Sequence, residues 1–281
     1  MGAQVAAGLG VIDQGAADTI SASSGAIDRS AAAISRAAEE ITPEQEYYIG
    51  RAVGANILNK YKIWNGDPAL TTYLNLICNT IVINSPRPEI YNGYHVSILD
   101  STEVNAFATS GGHVFVTRGL IACTDSEDAL AGVIAHEIGH IQLQHSIKAI
   151  QNSRINQAIM ITGTSALGAS GRKDLKELAD VMDESVNEIV TTLIDKGYSR
   201  DQEFDADKAA LSLMAYAGYQ PSSLISMLQL LEKNQGSRSI GFTKTHPSPA
   251  QRISNAEKSV GMYKVPDSRS YRTGRYKSRV K

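Results

Sequence analysis

Glu127-Asp128-Ala129-Leu130-Ala131-Gly132-Val133-Ile134-Ala135-His136-Glu137-Ile138-Gly139-His140 is the stretch from which the rest of the chain is best read. Apolar residues at Ala129, Leu130, Val133 and Ile134 recur at helical spacing. Ahead of them Thr124-Asp125-Ser126-Glu127 reads as a helix start, with Glu127 three residues after a Thr124 cap. At about 100° per residue the two histidines lie roughly 40° apart on one face, and Glu137 sits on its flank. Two imidazoles therefore converge on one point, where Zn²⁺ takes nitrogen ligands, while the carboxylate between them can reach a water without ligating the ion. This is the H-E-x-x-H arrangement.

A catalytic zinc needs a third protein ligand and an open position. Leu143 and Ser146 stand where a glycine and a third histidine of the extended motif would be. His145 falls one position early and, on a continuing helix, points about 140° away from His140, so it is expected to face solvent. Better placed by type are Glu203 and Asp207, four apart on one face of a second helix in Arg200-Asp201-Gln202-Glu203-Phe204-Asp205-Ala206-Asp207. One of them can bind the metal while the other accepts the N–H of a ligating histidine.

These residues, with Asn105-Ala106-Phe107-Ala108, Gly111 to Leu120, Ser126-Glu127-Asp128 and Thr245-His246-Pro247, resemble the zinc metallopeptidase family of HtpX and the CAAX prenyl proteases. The resemblance runs in order over about 180 residues and is strongest to soluble periplasmic and lipoprotein members such as BepA and LoiP. It implies an α+β, mainly α, gluzincin fold with a small antiparallel sheet beside the zinc-binding helix. It implies one zinc per chain on His136, His140 and Glu203, with Glu137 as catalytic base. It also implies that Asn105, Ala106, Phe107 and Ala108 form a strand whose edge takes up an extended substrate peptide.

On this reading Asp207 orients a ligating imidazole, and His246, with Arg252, stabilises the oxyanion. His246 could instead close the open metal position as a latch. The expected activity is zinc-dependent endopeptidase cleavage of extended or misfolded polypeptides in envelope quality control. The alternative is an assembly factor that holds such polypeptides and cuts little or not at all.

With 281 residues and 42% apolar content the chain can build a sizeable core, and 27 basic against 29 acidic residues give no global pull toward nucleic acid. Unfolded polypeptide is the expected partner, with the membrane periphery a second; oligomeric state is not legible. The start Met1-Gly2-Ala3-Gln4 has no basic, apolar leader, and Ala6 stands where a myristoylation signal needs Ser or Thr. A periplasmic or lipoprotein location therefore needs a signal outside this sequence, the alternative being cytoplasmic. Cys78 and Cys123, the two cysteines, fit a disulfide or two thiols equally.

Three regions are expected. Residues 1–41 form a helical arm, with Ile20, Ile27, Ile34 and Ile41 seven apart; 42–263 form the metallopeptidase domain; 264–281 form a disordered basic tail, with six cations against one acid from Asp267 to Lys281. Within the domain, helices are expected over 43–63 and 69–84 and alternating strands over 94–99, 104–108 and 113–117. His95 and His113 read as ordinary sheet residues. Residues 153–169 are too polar to span a bilayer, unlike the corresponding parts of HtpX, and 172–196 read as a lid or a packed surface hairpin.

Overall fold

The computed structural model describes residues 40–151, 189–191, 196–233, 241–246 and 249–280. The chain divides into two compact units, 1–41 with 148–185 and 42–147 with 186–281. The described residues fall almost wholly in the second, and the expectations for residues 1–39, 153–169 and most of 172–196 lie outside them.

Helix α1 (Pro43–Lys60) starts at a capping box in which Thr42 Oγ1 accepts from Gln45 N–H and the Gln45 side chain accepts from Thr42 N–H, with Pro43 pre-set for the first turn. Helix α2 (Pro68–Val82) also begins with proline and is capped by Asp67, whose side chain accepts from Leu70 N–H. Three strands follow: β1 (His95–Leu99), β2 (Ala106–Thr109) and β3 (His113–Thr117), in the order β1-β3-β2.

β2 and β3 form the expected antiparallel hairpin through Gly111 (φ 78°) and Gly112 (φ 92°). β1, however, pairs with β3 in parallel, so the sheet is mixed rather than antiparallel. The reason is the link from 100 to 105, which crosses to the far side of the hairpin instead of turning back. It is pinned by hydrogen bonds from Thr117 N–H to the Asn105 carbonyl (3.0 Å) and from Gly119 N–H to the Ser101 carbonyl (2.9 Å).

After the short α3 (Arg118–Cys123) comes α4 (Glu127–Gln142), the helix with both motif histidines. Its cap is Ser126, whose Oγ accepts from Ala129 N–H; Thr124 closes α3 instead of opening α4. Every residue from Glu127 to Ile141 is buried. A helix covered all round is the core of its domain, and around α4 stand α2, β2, α5 (Arg200–Tyr216), α6 (Ser222–Lys233) and α9 (Arg269–Val280). The closest approach is to α5: a Cβ on Gly139 would lie 2.9 Å from the Ala206 carbonyl oxygen, so only glycine lets the helices meet at that level. Between α6 and α9 lie the single turn α7 (Phe242–Thr245) and α8 (Pro249–Val260).

The expected disordered tail is instead α9, and its charge is partly spent inside the fold. Arg272 makes two bonds of 2.8 Å to the Asp128 carboxylate, Arg275 pairs with Glu127, and Tyr276, 1% exposed, donates to the Thr124 carbonyl. Two acids in the first turn of α4 already favour its dipole; α9 supplies the countercharge that lets them be buried. Cys78 is buried, Cys123 half-buried, and no disulfide joins them. Burial pushes the Cys78 thiol up to about 12. Among the described residues no helix is long and apolar enough to cross a membrane.

Candidate metal centre

α4 presents His136, Glu137 and His140 on one side, and α5, opened by the Ser199–Gln202 capping box, presents Glu203 and Asp207 against them. The turn after α7 adds His246, and α8 adds Arg252. All seven side chains are buried. One donor atom each from His136, His140, Glu203 and His246 lie within 4.8 Å of one another.

Nε2 of His136 is 3.1 Å from Nε2 of His140 and 3.5 Å from Glu203 Oε2; Nε2 of His140 is 3.5 Å from Glu203 Oε1. Nδ1 of His246 is 3.0 Å from Glu203 Oε1 and 3.3 Å from His136 Nε2. Tetrahedral ligands at about 2.0–2.1 Å from a zinc ion stand about 3.3–3.4 Å apart. The donor set and its spacing therefore fit zinc. Both oxygens of Glu137 are buried and make no hydrogen bond among the described residues, and His246 Nε2 lies 3.5 Å from Oε1. A buried carboxylate without donors is costly unless something is meant to reach it.

The supporting contacts are ordered by Asp207 and Arg252. Nδ1 of His136 is 3.0 Å from Asp207 Oδ1, as expected for an orienting carboxylate. Arg252 grips Asp207 through Nε (2.8 Å) and Nη2 (2.7 Å), and its Nη1 is 2.9 Å from Glu203 Oε2. Arg252, expected to help stabilise the oxyanion, here faces the two carboxylates of α5.

The expectation for His145 is corrected. It is buried, with its Nδ1 2.8 Å from His140 Nδ1. The helix ends at Leu143, and Gln144 takes a left-handed φ of 55°, which swings His145 back under α4. Tyr198, which no motif singled out, lies flat on His140 with ring centres 4.0 Å apart and planes 16° apart.

The electrostatics separate the groups. Burial alone would push the Glu203 carboxyl up, but His246 and Arg252 outweigh it and hold it well below the usual carboxylate range. Burial likewise opposes ionisation of Asp207, yet Arg252 and His136 bring it down to about 2. Burial holds His140 well below the ordinary imidazole value. For His136, burial and Arg252 favour the neutral ring, but the bonds to Asp207 and Glu203 prevail and raise it to about 9. Glu137 is raised by burial, which prevails over the nearby His246 and His136. Of the three carboxylates in the cluster, Glu203 and Asp207 are thus held ionised and Glu137 is shifted upward, the direction a proton-transfer group needs.

β2 is an edge strand packed beside α4, with all four residues buried. Just before it, the Val104 carbonyl accepts from Phe242 N–H (2.9 Å), and the Asn105 side chain accepts from Ala106 N–H and from Thr245 Oγ1. The 241–246 segment thus runs along the start of the strand that the resemblance assigns to substrate. His95 and His113 pair across β1 and β3, away from the donor cluster.

A central helix bearing two histidines, faced by a second helix that brings a carboxylate, beside a small sheet is a zincin-like α+β architecture. Residues 68–260 match the model of peptidase family M48, and the chain belongs to that family. It is 27% identical over 206 residues to the beta-barrel assembly-enhancing protease of Yersinia pestis, covering 70% of this chain and 40% of that one. It is 30% identical over 184 residues to the metalloprotease LoiP of Escherichia coli, covering 65% and 66%. To the mitochondrial metalloendopeptidase OMA1 of Schizosaccharomyces pombe it is 29% identical over 193 residues, covering 66% and 52%. The chain spans about two fifths of the length of its beta-barrel assembly-enhancing relatives.

Proposed function

We propose that the chain is a zinc-dependent metalloendopeptidase acting on extended or misfolded polypeptides in the bacterial envelope, with one zinc held by His136, His140 and Glu203. The carrying observation is the cluster of donors at tetrahedral spacing beside a buried, unbonded Glu137. Bound there, zinc would supply Lewis acidity, lowering the pKa of a water toward about 7 and polarising the peptide carbonyl.

Glu137 is the proton carrier of this scheme: its carboxylate takes a proton from the attacking water and hands it to the leaving amine nitrogen. Asp207 keeps the proton of His136 on Nδ1, so that Nε2 is free to ligate. Arg252 is a positioning residue that holds Asp207 and Glu203 in register. His246 serves as the latch rather than as a ready oxyanion donor, because its Nδ1 already lies among the donor atoms. A closed set of four ligands suits a structural site, whereas catalysis needs one position open; the 241–246 segment must withdraw for turnover. That withdrawal also frees the start of β2, where an extended peptide can add to the sheet edge through backbone hydrogen bonds. Such recognition favours unfolded chains over any one side-chain sequence. An envelope location is supported by the relatives named for beta-barrel assembly.

Glu137→Gln should retain zinc and lose cleavage of unfolded casein by at least about 100-fold. Unchanged hydrolysis by that variant would contradict the assignment. If zinc-loaded wild-type protein binds unfolded polypeptide yet releases no new N-termini, a holding factor replaces the peptidase.

A further inference from the structure

His140 has a partner that the ligand motif does not specify. Its Nε2 faces the donor cluster, 3.1 Å from His136 Nε2 and 3.5 Å from Glu203 Oε1, so its other nitrogen faces away from the metal position. There Nδ1 meets Nδ1 of His145 at 2.8 Å, with both rings buried. The ring of Tyr198 covers one face of His140, which opposes rotation of the imidazole about its Cβ–Cγ bond. Tyr198 N–H in turn bonds the Thr245 carbonyl at 3.1 Å.

We propose that His145 is a positioning residue that fixes the tautomer and orientation of His140 as a metal ligand, with Tyr198 holding the ring plane. The inference rests on the zinc reading above. A histidine that ligates through Nε2 carries its proton on Nδ1, and that proton needs an acceptor. For His136 the acceptor is the Asp207 carboxylate. For His140 it is His145, which must itself be neutral, with its Nδ1 lone pair turned to His140 and its own proton on Nε2. The two ligands are therefore supported unequally, one by an anion and one by a neutral imidazole.

The backbone bears the cost of this arrangement. Gln144 holds a left-handed φ of 55°, a conformation disfavoured for a residue other than glycine. Its side chain is anchored to Glu46 Oε2 at 3.1 Å. Without the turn His145 would continue the helix and face away from His140. Strain of this kind persists where the surroundings enforce it, often at a functional site.

The test is zinc affinity, measured with Zn²⁺ alone against a competing chelator, on the full chain and three variants. His145→Leu removes the acceptor and should bind zinc about 10- to 100-fold more weakly, the usual effect of losing an orienting partner. His145→Asn places Oδ1 close to where Nδ1 stood and should restore most of that loss. Glu203→Gln is the control for the site itself. In the wild-type protein, ¹⁵N resonances of the zinc form should show His140 protonated at Nδ1 and His145 unprotonated at Nδ1, a readout that needs no variant to fold. Zinc affinity unchanged in His145→Leu, failure of His145→Asn to recover, or a His140 proton on Nε2 would each overturn the inference. A wild-type chain that binds no zinc, or a Glu203→Gln chain that binds it as tightly as wild type, would remove the zinc reading as well.

Discussion

Arg252 is fully buried and faces two carboxylates, Asp207 and Glu203. Its charge counters both, beside His246 at Glu203 and His136 at Asp207, and the surrounding carboxylates in turn hold its guanidinium above the ordinary arginine value despite burial. Removing one member of a buried charge set costs about 3–5 kcal/mol, because the others are left uncompensated. Arg252→Met should therefore lower the stability of the metal-free chain by about that amount in urea unfolding. Saturating zinc should recover part of the loss by neutralising Glu203; equal losses with and without zinc would detach Arg252 from the metal site. At this scale the sequence shows residue type and spacing well and direction poorly. The 136/140 and 203/207 pairs were legible because four residues along a helix return to one face. His145 was misread because the same arithmetic assumes a continuing helix, and nothing in Leu143-Gln144 announces a left-handed turn. Arg252 was legible as a site residue, but its pairing with Asp207 and Glu203 was not.

The element that most changes the sequence-based picture is α9. Six cations in the last fifteen residues read as a solvated end because the acids that receive two of them, Glu127 and Asp128, lie far upstream in the chain. Composition cannot reveal a pairing of that range. Glu127 illustrates the consequence: burial opposes its ionisation, but Arg275 and the Tyr73 hydroxyl hold its pKa below the usual value of 4.5. A depressed carboxyl pKa stabilises the fold above the unfolded value, and the stabilisation fades as pH falls through the folded one. Arg275→Met should thus cost roughly 1–3 kcal/mol at pH 7, with the gap from wild type closing below about pH 4.5. The exposed pair of Arg118 and Asp100 is the control, and Arg118→Met should cost no more than about 1 kcal/mol. A gap for Arg275→Met that does not narrow as the pH falls below 4.5 would assign the effect to packing. The parallel pairing of β1 and β3 was hidden for a related reason: alternation marks strands, but their partners depend on the path of the 100–105 link.

Across the described residues the plan of the molecule is a buried helix wrapped by the other elements, with the donor atoms gathered from α4, α5 and the turn after α7. Glu203 follows His140 by more than sixty residues, so the site exists only when α4 and α5 pack at Gly139. The fold class could be read from the sequence because motif, helix pattern and family resemblance agreed; the place of His246 among the donor atoms could not, because it depends on where the 241–246 segment comes to rest. The central claim is that these side chains form one zinc site. Metal analysis of the purified chain after exhaustive dialysis tests it most directly. One equivalent of zinc in the wild-type protein, falling far below one in both His136→Ala and Glu203→Ala, is the predicted result; a wild-type chain without zinc, or a full equivalent kept by either variant, would contradict it.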